Sequence, residues 1–220
     1  MSSKSSTSFK SSKSSKKSSS KSKTKVTLSD FDVSKVKFQE INMKLADSKQ
    51  GIGYVRYAYP KGENNFVLQV DAINMTQYGI PKAEWANDNK RTNFTIPFDP
   101  EQETCQNLRK VMEEIDNKLG SKESKEHLFT NDAKLLKKMK YSPIVKVPKE
   151  DDDDDNDKIR FAKMKISLDF NYNTGDISTK VYTKKDENAQ PISQIVKNME
   201  DLEQHFTYGS QVRLILMLNK

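Results

Sequence analysis

The chain predicts a mainly β fold with helical insertions, preceded by a basic tail that has no means of folding. Three observations lead there. Apolar residues recur with a period of two in short blocks, glycine and proline separate those blocks, and only two segments carry the longer helical period. Strands and helices also fail to alternate regularly, which argues against a doubly wound parallel sheet.

Met1 to Lys25 holds 13 serines, 8 lysines and no acidic residue. Serine and lysine bury too little apolar surface to offset chain entropy, so residues 1–25 are expected to be a disordered tail and residues 26–220 one domain. Ile41, Met43 and Leu45 alternate with polar residues, and Ile52–Tyr59 and Phe66–Ile73 follow, separated by Gly51 and by Pro60-Lys61-Gly62. These read as three strands of a meander. A fourth, Phe94 to Phe98, contains Pro97, which cannot donate to a ladder and so predicts an edge. The clearest helix comes next, with Asp99 as N-cap, Pro100 at the first position and Gly120 past its end. Its apolar face is Cys105, Leu108, Val111, Met112, Ile115 and Leu119.

From Ser121 to Tyr141 the pattern weakens, with a short helix expected around Ala133–Lys140, and Ile144–Val147 reads as extended. Ala162, Met164, Ile166, Leu168 and Phe170 alternate with polar residues as a half-buried strand. The turn Asn173–Asp176 then returns Ile177–Tyr182 beside it as a hairpin. Ser193 is placed to cap a second helix carrying Ile195, Val196, Met199, Leu202 and Phe206, stopped by Gly209, and Val212–Leu218 closes the chain as a strand. This order fits an OB-like five-stranded Greek-key barrel. A split sheet with helices on one face is the competing architecture.

The net charge is +7, from 38 basic and 31 acidic residues, and the tail alone contributes +8. Seven acids and no base lie between Glu150 and Asp157, in a solvated acidic loop expected at 149–158. Without the tail the chain carries −1, and without those seven acids as well it carries +6. A basic arm, a basic body and one acidic loop are the pattern expected when a polyanion is the partner. The single cysteine, Cys105, excludes a disulfide framework and a thiolate zinc site and fits an intracellular, reducing compartment. The longest apolar stretch, Leu214–Leu218, falls far short of the ~20 residues needed to span a bilayer, and no secretory leader is recognisable.

Catalytic chemistry is missing. No HExxH, Walker lysine motif or dinucleotide glycine pattern occurs, and neither His127 nor His205 has metal-ligand spacing. His205 reads as the complement of a helix C-terminus. Asp151–Asp155 lack the central glycine and terminal glutamate of a calcium loop. Cys105 lies on an apolar helix face, where a thiol is buried and inert. The expectation is a non-enzyme with no cofactor and no metal.

One strand, one later hairpin and one loop carry the residues expected to contact nucleic acid. Tyr54, Arg56, Tyr57 and Tyr59, followed by Lys61, put aromatics and cations on both faces of one strand, so that one set faces outward. Exposed rings stack on unpaired bases; the plainer reading is that tyrosine is a good strand former. The later hairpin offers Lys163, Lys165, Lys180, Tyr182, Lys184 and Lys185, with Tyr172 at its turn. The loop Met75–Arg91 adds Tyr78, Lys82, Lys90 and Arg91, and Trp85, which either stacks on a base or plugs a barrel end.

Five segments, Gln77–Lys82, Phe94–Asp99, Tyr141–Lys146, Lys165–Tyr182 and Tyr208–Arg213, taken in order, resemble the OB-fold single-stranded-DNA-binding proteins of large nucleocytoplasmic DNA viruses, the asfarvirus and mimivirus type. The resemblance spans about Val33 to Lys220 and leaves out the tail and the aspartate run. It implies sequence-independent binding of single-stranded DNA, with RNA as an open alternative, in viral replication, repair or packaging. Replication proteins or a second copy are implied as possible protein partners, and a host-cytoplasm viral factory or the virion as the location. The alternative is a structural or scaffold protein whose basic tail touches nucleic acid while the body contacts protein. The two charge runs are nearly equal and opposite, so the acidic loop is either a phosphate mimic that competes for the basic surface or a plain solvated loop.

Overall fold

A computed structural model describes residues 25–41, 51–80, 92–129, 140–148, 160–171, 173–186 and 188–218. The tail up to residue 24, the expected strand through Met43 and Leu45, residues 133–139 of the expected short helix and the acidic run lie outside the described residues.

Among the described residues strands outweigh helices, and the class is mainly β. A central sheet is built on β4 (Gly62–Asn74), which exceeds its expected length at both ends. Its start forms a hairpin with β3 (Val55–Tyr59), closed by the pair Tyr59 and Gly62 across Pro60-Lys61. Gly62 sits at φ +116°, a conformation side chains disfavour. β2 (Val36–Phe38) lies on the other edge of β3. The later part of β4 pairs with β9 (Gln211–Leu218), with a register shift between Val70 and Ile73. β1 (Val26–Thr27) runs parallel to Leu68–Gln69, on the edge opposite β9.

Two ribbons complete the β structure, β5 (Asn93–Pro97) with β6 (Lys163–Ser167), and β7 (Val181–Thr183) with β8 (Ile192–Gln194). Among the described residues none of these sheets closes into a barrel.

Alternation builds the core. Phe66, Leu68, Val70 and Ile73 point from β4 to one side and are buried with Phe94 and Ile96 of β5, Met164 of β6 and the apolar face of α1 (Glu103–Gly120). That face contains Cys105, Leu108, Val111, Met112 and Ile115, as its periodicity requires, with Leu119 half-buried. Burial pushes the Cys105 thiol pKa up. A smaller cluster of Ile177, Val181, Val196, Met199 and Leu202 joins the main core through Ile80, Leu168 and Phe206.

Pro97 behaves as its chemistry demands. Thr95 donates its N–H to Gly79 and Phe98 donates to Ala162, so alternation aims the ring nitrogen of Pro97 away from β6.

Three expectations are corrected. Asp99 does not cap α1, which starts at Glu103 behind Gln102. The Asp99 carboxylate instead accepts from the Glu101 N–H, the Thr76 hydroxyl and the Gln102 amide. Gln102 in turn bonds both the N–H and the C=O of Asn74, standing in for a strand neighbour at the end of β4. The expected later hairpin keeps only its tip, a bridge between Phe170 and Ile177. β5 pairs along one edge of β6 and Lys146 bridges Lys163 at the start of the other, while Val181–Thr183 pairs with β8. The second helix shrinks to α3 (Met199–Glu203), because residues 192–194 remain extended against β7 and the first capping side chain is Asn198, not Ser193. Ile195 is left 83% exposed.

A short helix that sequence missed, α2 (Lys122–Leu128), follows α1 directly, with the Ser121 hydroxyl accepting from the Ser124 N–H. His127 on it hydrogen-bonds the Phe38 carbonyl at 2.8 Å, a structural role.

Candidate nucleic-acid interface

Directly opposed residues in an antiparallel ladder share a face. β5 and β6 therefore set Lys163 beside Pro97 and Lys165 beside Thr95, while Ile96 and Met164 face the core. On the far side of β6, Lys146 and Lys163 exchange both backbone hydrogen bonds, at 2.8 and 2.9 Å. Two lysine side chains thus leave the same face from backbones about 5.5 Å apart.

Asp116 holds Lys146 in that place. This carboxylate sits among the apolar residues of α1, buried, and accepts from the Tyr141 hydroxyl and from the N–H groups of Ile144 (2.8 Å) and Val145 (3.0 Å). Burial, together with the carboxylate beside it, pushes the Tyr141 phenol pKa well up. The segment that precedes Lys146 is therefore pinned to the helix.

Tyr78 supplies the aromatic component. It occupies φ +61°, rare for a residue with a Cβ, and is followed by Gly79 at +96°. The reversal is held on three sides. Gly79 exchanges backbone bonds with Thr95, Gln77 accepts from the Phe161 N–H, and the Tyr78 hydroxyl donates to the Phe161 carbonyl at 2.9 Å. The ring is 40% exposed, and the Lys163 ammonium lies 4.4 Å from its centroid. Burial raises the phenol pKa while the charge of nearby Arg160 pulls it back. Among the described residues no carboxylate is in salt-bridge range of Lys146, Arg160, Lys163 or Lys165.

A second, smaller group lies on the outward face of β2 and β3. Tyr54 is exposed, Arg56 lies 5.8 Å from its ring centroid and hydrogen-bonds Asn65, and Lys37 is directly opposite Arg56. Lys61 is exposed at the hairpin tip.

Tyr57 and Tyr59 point the other way and are core. Tyr57 stacks on Phe66 at 5.0 Å and accepts from the Asp32 N–H; the Tyr59 hydroxyl donates to the Asn65 carbonyl and accepts from the Val67 N–H. Buried rings with engaged hydroxyls offer no face to a base. Tyr182 lies exposed in β7 with Lys180 and Lys184 flanking it, on a different ribbon from Lys163 and Lys165, so the single basic hairpin face does not form. Lys82, Lys90, Arg91 and Tyr172, and Trp85 with them, lie outside the described residues.

Sequence reasoning missed Lys37, Lys146 and Arg160. Lys146 was legible only as part of an extended segment, because its pairing with Lys163 spans the whole acidic run. Among the described residues no cluster of three or more His, Cys, Asp or Glu is placed to hold a metal, and no helix is long and apolar enough to cross a membrane. The chain matches no protein-family model, no curated protein and no solved structure.

Proposed function

We propose that this protein is a non-enzymatic binder of single-stranded nucleic acid, DNA in the first instance, without sequence preference. The observation that carries this reading is the basic face on which Lys146 opposes Lys163 beside Lys165, Arg160 and the exposed Tyr78 ring. Like charges directly opposite one another in a sheet are destabilising, and a phosphate chain laid across them relieves that repulsion. Tyr78 and Tyr54 add ring faces on which unpaired bases stack. No base-edge donor is offered by Tyr78, whose hydroxyl is spent on Phe161, in keeping with sequence independence.

The finer architecture belongs to the same proposal. Successive parts of β4 pair with different strands and a register shift interrupts its ladder with β9, features in keeping with the bent, shared strand of an OB-like barrel. A role in viral DNA replication, repair or packaging, in a host-cytoplasm factory or the virion, follows from the sequence resemblance alone. A scaffold role is the second reading, favoured by Ile215 and Met217, which lie exposed on the outer face of β9.

Titrating the full chain and residues 26–220 with a poly-dT oligonucleotide and with duplex of equal length, at several salt concentrations, tests the proposal. Preference of the body for the single strand, with a slope in log salt of about −0.7 per phosphate contacted, is expected. Affinity that vanishes with the tail removed would instead favour the scaffold reading.

A further inference from the structure

We propose that Lys163 has two exclusive positions, a cover on the Tyr78 ring in the free protein and a phosphate contact in the bound one, so that binding must strip the cover before a base can stack. This deepens the single-strand reading and rests on it. The Lys163 ammonium is 4.4 Å from the ring centroid, within the range of a cation–π contact, and lies over one face of a ring that is 40% exposed. The ring cannot swing clear, because the hydroxyl is tied to Phe161 and Gly79 is tied to Thr95. The lysine side chain can. It has no carboxylate partner among the described residues, and the ammonium of Lys146, directly across the bridge, is hydrogen-bonded to the Ser142 hydroxyl. Removing Lys163 therefore has two opposed effects, the loss of one phosphate contact and the release of the ring.

These effects separate with salt. A cation–π contact at an exposed site opposes stacking by about two- to fivefold and is a short-range term that salt screens little. One phosphate contact on a single strand scales as salt to the power of about −0.7, worth about eightfold at 50 mM and nothing at 1 M. Lys163→Ala should then bind dT about two- to fourfold more weakly than wild type at 50 mM and about two- to fivefold more tightly at 1 M, the two curves crossing between about 0.1 and 0.4 M.

The test is fluorescence titration of the full chain with a dT oligomer across that range, for wild type, Lys163→Ala, Tyr78→Leu and the double variant. Crossing curves that no longer cross in the Tyr78→Leu background support the cover. A Tyr78→Phe variant, which keeps the ring, should retain the crossing. Curves that converge at high salt without crossing, or a crossing that survives Tyr78→Leu, overturn it while leaving single-strand binding intact. Failure of the wild type to bind at any salt overturns the single-strand reading, and the cover with it.

Discussion

Replacing Asp116 by Ala removes the carboxylate that ties the 141–146 segment to α1. Three donors lose their acceptor: the Tyr141 hydroxyl and the N–H groups of Ile144 and Val145. The half-buried phenol can turn toward water, but Val145 is buried and Ile144 is packed against the core, so two backbone N–H groups are left without partners. Each costs about 1–3 kcal/mol, about 4 kcal/mol together, and at about 2–4 °C per kcal/mol for a protein of this size the melting temperature should fall by about 8–16 °C. The effect should also reach the basic face. Once 144–145 is free, the pairing of Lys146 with Lys163 frays, and the salt slope of oligonucleotide binding should become shallower by about 0.7. Thermal melts and amide exchange at Ile144 and Val145 measure the first effect, titration at five salt concentrations the second. A melting temperature within 2 °C of wild type, or unchanged protection of both amides, would refute the reasoning.

Tyr59→Phe orphans the buried Val67 N–H and should cost about 1–3 kcal/mol in urea unfolding while leaving the salt slope of binding untouched; a changed slope would return this residue to the interface. Burial pushes the Asp99 carboxyl up, but bonds from Gln102, the Glu101 N–H and Thr76 outweigh it and hold its pKa below the usual carboxylate range. Its stabilisation is therefore present above the unfolded pKa of about 3.9 and lost as pH falls through the folded value. Asp99→Asn should lose most stability near neutrality and little below that window, so a difference from wild type that stays constant from pH 2 to 7 would count against it. In the chain, Asp151–Asp155 lie between the bridged Lys146 and Lys163, and replacing them with a Ser/Gly linker of equal length should raise affinity at 50 mM salt and not at 500 mM. Equal affinity at low salt would leave the aspartates without influence on the basic face.

Local patterns were legible wherever one element could be read by itself. The alternation in 162–170 and the 3.6-residue stripe of α1 each predict the side that is buried. Pairing was not. Whether Ile177–Tyr182 returns on β6 depends on residues distant in sequence: Asn93–Pro97 pairs along one edge of β6, Lys146 bridges Lys163 on the other, and Val181–Thr183 pairs with β8. The same holds for Ser193, whose capping chemistry lost to a vacant edge of β7. Tyr57 and Tyr59 show a further limit. The strand exposes one face and buries the other, and period-two alternation separates Tyr54 and Arg56 from Tyr57 and Tyr59 without saying which pair meets water. Phe31, Phe66 and the Asp32 N–H decide it, packing the second pair inward.

The basic face was legible only in part for the same reason, and the missing part is the informative one. Lys163 and Lys165 stand out in sequence as the polar half of an alternating strand, which is the ordinary composition of a solvated face. What sets this face apart is that Lys146 arrives opposite Lys163 from across the acidic run, and that Asp116, a charge on the apolar stripe of α1, holds it there. The three bonds that Asp116 accepts offset the desolvation of a buried carboxylate and stabilise the free fold, and through them one lysine is set directly opposite another. Under the proposed reading a phosphate chain meets both charges, so Asp116→Ala and Lys163→Ala are different experiments: one dismantles the arrangement, the other removes one charge while leaving it standing.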